Sequence, residues 1–120
     1  MIVPDSQADL IRRLCEGSRT LAELLDVHLS SQGELLPHVY FGDVTRHFVR
    51  LMNSGTSADR VEASQIIRQL EASMSSDEHA RELVVASFLE NLLGSAGLEE
   101  IRAVLPPALR HAFEAVEGGA

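Results

Sequence analysis

The chain has 120 residues, 45% of them hydrophobic, which supplies enough apolar surface for one core and is not the composition of a disordered tract. Eighteen acidic residues against ten basic ones give a net charge of −8, so nucleic acid is disfavoured as a partner because its phosphate backbone is repelled. No stretch approaches the roughly 18 apolar residues of a membrane span, and the start Met1-Ile2-Val3-Pro4-Asp5 lacks the basic and apolar runs of a signal peptide; a single cytoplasmic domain over residues 1–120 is expected.

In chain order, Leu10, Leu14, Leu21, Leu25 and His28 recur at helical spacing, with Ser6 and Asp9 as a capping start. Residues 6–30 read as one helix, or two if Gly17 breaks it, closed by the loop Ser30-Ser31-Gln32-Gly33. Cys15, the single cysteine, reads as a small apolar filler among Leu10, Ile11 and Leu14. From Pro37, which suits a first helical turn, Phe41, Val44, Phe48 and Leu51 mark a second helix over about 37–53. Its first turns, Val39-Tyr40-Phe41-Gly42, also read as a short extended run before a cap at Asp43; helix is preferred because no second strand exists to pair with it.

Asn53-Ser54-Gly55 stops that helix, and Thr56 or Ser57 caps a third whose apolar positions are Val61, Ile66, Ile67, Leu70 and Met74. Ser75 with Glu78 forms a capping box ahead of a fourth helix, about 77–94. Leu83, Val84, Val85, Phe88, Leu89, Leu92 and Leu93 give it an apolar surface broader than a surface helix needs, so it should be the central element. Gly94 to Gly97 breaks it, Leu98 to Val104 adds a short helix, and Pro106-Pro107 starts a last one ending near Val116, with 117–120 as a tail. Short loops between these segments predict an all-α fold of five or six helices, as an orthogonal bundle or a short stacked array.

Chemistry is harder to find. The five histidines, His28, His38, His47, His79 and His111, sit far apart, without the i, i+3 or i, i+4 pairing that places two ligands on one helix face, so no metal or cofactor is expected. Asp43 with His47 and His79 with Glu82 read as surface hydrogen bonds. No Gly-x-Ser-x-Gly turn and no Gly-x-x-x-x-Gly-Lys loop is present, which argues against an enzyme. The remaining polar cluster is Asp43, Arg46, His47 and Arg50 on the second helix. Arg46 and Arg50 are stacked like charges, which predicts a facing acid, and Glu90 is the choice as partner of Arg46. The cluster serves either packing or function.

Residues 61–120 hold ten acids and four arginines, a net of −6. Glu62, Glu71, Asp77, Glu78 and Glu82 are therefore the expected docking face for a basic partner, set against the plainer reading that they solvate helix exteriors.

Two strings carry a resemblance: Leu35-Leu36-Pro37-His38-Val39-Tyr40-Phe41-Gly42-Asp43-Val44-Thr45-Arg46, and Val84-Val85-Ala86-Ser87-Phe88-Leu89-Glu90-Asn91-Leu92. Together they resemble a small bacterial family of uncharacterised helical domains, of the kind encoded beside polymorphic or secreted toxins. The resemblance implies an immunity protein that binds and blocks a cognate toxin with a basic cleft. Two other readings stand beside it. One is a structural or regulatory module acting as a homodimer through an apolar stripe that includes Leu51 or Phe113; the other is a metal-dependent enzyme using His47, Asp43 and Glu90.

Overall fold

The computed structural model describes residues 2–119, and among these every regular element is helical. Seven helices follow one another: α1 (Asp5–Glu16), α2 (Arg19–Gln32), α3 (Pro37–Ser54), α4 (Ser57–Ser73), α5 (78–92), α6 (Leu98–Val104) and α7 (Pro107–Glu117). The count exceeds the five or six expected because Gly17 does divide the first segment. Ser18 is extended there, at φ −149°, and its Oγ accepts the Leu21 N–H, so a new helix starts at once.

Most boundaries follow local chemistry. Gly33 and Gly55 end α2 and α3 at φ 77° and 78°, a left-handed geometry that costs glycine little. Thr56 caps α4 by accepting the Asp59 N–H. Residues 38–42 are helical, with Pro37 in the first turn. Two expected starts move: α1 begins at Asp5 behind Pro4, without a Ser6 cap, and α5 is capped by Asp77 rather than by a Ser75 box. Of the expected tail, Glu117 closes α7, Gly118 and Gly119 follow it, and Ala120 lies outside the described residues.

α5 is the irregular element. Its α-helical start, Glu78–Val84, runs into a π turn, Val85–Leu89, before Glu90–Leu92 resumes α geometry. Successive α-helical residues are about 100° apart, so an unbroken helix that buries Val84 would bring Asn91 inward next. The wider π turn delays the rotation by about one residue. Leu92 is fully buried instead and Asn91 is exposed. The broad apolar surface read from the sequence is thus two apolar stripes joined out of phase, although Leu93, at 47% exposure, belongs to neither.

The core joins Leu10, Leu14, Tyr40, Phe41, Phe48, Leu70, Leu83, Phe88, Leu89, Ile101, Leu109 and Phe113 from all parts of the chain. α3 touches α1, α2, α4, α5 and α6, so it shares the centre with α5. The radius of gyration, 13.5 Å, is that of one compact body of this length. Leu51 and Phe113 lie in this core and cannot form a dimer stripe, whereas Val61 on α4 is exposed. Cys15 is more than apolar filler: it is half-buried, with Sγ 3.4 Å from the Tyr40 hydroxyl, which itself donates to the Leu21 carbonyl at 2.8 Å. Burial pushes the Cys15 thiol above its usual pKa, the opposite of what a reactive thiolate requires. No helix among the described residues is long and apolar enough to cross a membrane.

Candidate functional site

Three of the five acids expected on a docking face are engaged internally. Glu62 on α4 accepts the Ser18 hydroxyl at 2.6 Å and lies 2.6 Å from His47 Nε2, with both contacts on the same carboxylate oxygen. Ser18 and His47 are each 5% exposed. One carboxylate therefore ties the start of α2 and the middle of α3 to α4. A carboxylate only accepts, so Nε2 of His47 carries the proton, and Nδ1 is left buried without a partner. The order is Ser–Glu–His: the histidine does not touch the hydroxyl and cannot take its proton, so the trio is not a nucleophilic triad.

Glu71 performs a different task. Pro106 and Pro107 begin α7, and neither offers a side-chain acceptor to the free N–H groups of its first turn. Glu71 reaches across from α4 and accepts the Ala108 and Leu109 N–H groups, each at 2.9 Å. The carboxylate also sits at the positive end of the helix dipole. Glu71→Ala is expected to lower stability by about 1–2 kcal/mol, as loss of a good cap does. Urea unfolding measures this, and an unchanged midpoint would remove the capping role.

Asp77 caps α5, accepting the Ala80 N–H at 3.1 Å and the Ser6 hydroxyl at 2.9 Å. The Ala80 N–H first, and Ser6 next, hold its pKa below the usual carboxylate value. A depressed folded-state pKa contributes stability above the unfolded value, lost as pH falls through the folded one. The slope of unfolding free energy below about pH 4 should therefore be shallower in Asp77→Asn than in the parent. Equal slopes in acid titrations of both proteins would exclude this contribution.

The expected pairing of Arg46 with Glu90 does not form. Arg46 bonds Asp43 one turn away, on an exposed surface where such a pair contributes little. It lines a groove of about 320 Å³ with Gly42, Thr45, Val49, Asn91 and Ser95. Glu90 lines another groove, with Arg81, Leu93 and Val116. Arg50 is exposed and has no partner among the described residues, and His47 is turned to Glu62 rather than Asp43. No group of three metal-ligating side chains exists among the described residues, so His47, Asp43 and Glu90 do not assemble a metal centre.

What sequence reasoning missed lies between the two resembling strings. Thr45 Oγ1 donates to the Ser87 carbonyl in the π turn at 3.1 Å, and Asn91 Nδ2 donates to the same oxygen at 2.8 Å. The Ser87 carbonyl thus accepts from one side chain of α3 and one of its own helix. His38 Nδ1 lies 2.5 Å from Ser87 Oγ. Ser87 is only 6% exposed and nothing orients the far side of His38, so this contact fastens α3 to α5 without the access a nucleophile needs. The two strings are therefore the two sides of one helix contact.

The family described as a domain of unknown function, DUF7674, matches residues 11–118. The chain belongs to that family. The DUF7674 match includes both strings and every residue of the Ser18–Glu62–His47 and Glu71 networks, and its description assigns no activity. No curated protein and no solved structure matches the chain.

Proposed function

We propose that this domain is a non-enzymatic binding protein that receives a basic partner at the end where α1 and α5 begin. The observation that carries the reading is the division of labour among the acids. Glu62, Glu71 and Asp77 are bound internally, while Glu78 and Glu82 stand one turn apart on α5, exposed and without a partner among the described residues. Such a like-charged pair costs a few tenths of a kcal/mol in the free protein and is relieved by a cation. The bond from Ser6 to Asp77 brings the start of α1, with exposed Asp5, to the same end. With a net charge of −8, the surrounding field steers a basic surface towards these residues.

The partner we propose is a bacterial toxin with a basic cleft, blocked by occupation; the resemblance of the two strings to domains encoded beside toxins supports this finer reading. The test compares the parent with Glu78→Arg/Glu82→Arg in cells expressing the toxin-like gene nearest to this one. Protection should be lost, and association at low salt should slow by about tenfold or more. Equal protection by both proteins overturns the acidic-end reading. A gene neighbourhood without any toxin-like product overturns the toxin.

A further inference from the structure

The molecule also has a cationic groove. It lies between the second half of α1 and the middle of α4, holds about 420 Å³, and is lined by Arg13, Glu16, Gly17, Gln65, Arg68 and Gln69 over a floor of Leu14 and Ile66. Both floor residues are 2% exposed. Arg13 is half-buried, and its Nε donates to Gln69 Oε1 at 3.2 Å. That bond fixes the plane of the guanidinium and leaves both terminal nitrogens without a partner among the described residues. Arg68, beside it, makes no hydrogen bond or ion pair among the described residues.

Arg13 and Arg68 hold no carboxylate among the described residues, as is also true of Arg19, Arg50, Arg60, Arg81 and Arg110. Elsewhere Arg12, Arg46 and Arg102 each hold a carboxylate of this chain. Glu16, the acid on the groove, is already engaged by Arg12 at 3.2 Å. A partly desolvated guanidinium held in place from one side presents a planar fork that matches two carboxylate oxygens, and the fixed plane reduces the entropy lost on binding. Gln65 and Gln69 add amide groups that can donate to and accept from a peptide backbone. Gly17 keeps the mouth open: a Cβ there would stand 3.9 Å from Gln65 Oε1, and a longer side chain would enter the groove.

We propose that this groove docks a protein segment bearing one carboxylate among uncharged residues, the carboxylate lying on Arg13 and Arg68. A lone carboxylate suits the site better than a phosphate dianion, because the field of the whole chain opposes each added negative charge. The groove is separate from the acidic end on α1 and α5, so either can fail without the other.

The experiment is an NMR titration of the full chain with a blocked five-residue peptide carrying a central glutamate, beside its glutamine counterpart and inorganic phosphate. Shifts should concentrate on the Arg13 Nε–H and the Gln65 and Gln69 side-chain amides, with the glutamine peptide about tenfold weaker or more. Arg13→Gln and Arg68→Gln should each weaken the glutamate peptide by a similar factor, while Arg50→Gln leaves it unchanged. Gly17→Leu, which spares both arginines, should block binding and keeps the test decisive if Arg13→Gln disturbs the fold. Equal affinity for the two peptides overturns the proposal. So do tighter binding of phosphate at the same groups, and self-association in sedimentation that Arg68→Gln abolishes.

Discussion

Phe88→Ala is expected to lower stability by about 3–5 kcal/mol, the usual cost of removing a fully buried phenylalanine. The side chain is 0% exposed and meets Phe48 edge to face, with ring centroids 5.4 Å apart. Such pairs add roughly 0.5–1.5 kcal/mol beyond the area they bury. Phe88 also sits in the π turn, where α3, α5 and α7 converge. Since a domain of this kind commands about 5–15 kcal/mol in total, the variant should show a clearly populated unfolded fraction at moderate urea. Urea unfolding followed by far-UV circular dichroism measures the loss; a value under about 1 kcal/mol would mean that the core around Phe48 can collapse after all.

Glu62→Ala should cost about 2–3 kcal/mol, more than an ordinary surface acid, because it strands two buried donors at once. Ser18 Oγ and His47 Nε2 both lose their acceptor, and His47 then has no partner on either nitrogen. Glu62 keeps 26% of its side chain exposed, which admits some water to the vacated site and holds the loss below that of a fully enclosed ion pair. A double-mutant cycle separates the contact from the truncation. His47→Leu in the Glu62→Ala background removes the stranded imidazole, so the double variant should be more stable than the sum of the two losses by about 1 kcal/mol. Strict additivity would show that Glu62 and His47 are not coupled.

The contrast between these residues and their first reading shows what a helical sequence discloses. Pro37, Gly33, Gly55 and Thr56 act on the backbone within their own turn, so the ends they set could be read one segment at a time. Periodicity likewise placed Leu10, Phe48 and Leu70 inside. Glu62 and Glu71 could not be assigned this way, because their partners are 15 and more than 35 positions away on other helices. One signal was present: Pro106-Pro107 opens a helix without an internal cap, which implies an acceptor from elsewhere, though not which one. Arg46 and Glu90 failed for a subtler reason. Glu90 follows from the facing acid that the stacked Arg46 and Arg50 predict, but Arg46 finds Asp43 one turn away and Glu90 lines a different groove. Val61 and Leu93 read as apolar-face positions and are exposed.

The π turn of α5 also sets how this sequence can vary. The span from Val84 to Leu92 holds about one residue more than plain α geometry needs, so deleting one residue between 85 and 89 lets the helix close. Because the π turn delays the rotation by about one residue, everything after the deletion keeps the phase it has now, and Leu92 still faces the core. What such a deletion removes is the turn itself, with the contacts that Thr45, Asn91 and His38 make to Ser87. Relatives that keep this architecture should therefore accept a one-residue gap between 85 and 89, closing the turn into plain α geometry, more readily than a gap elsewhere in α5.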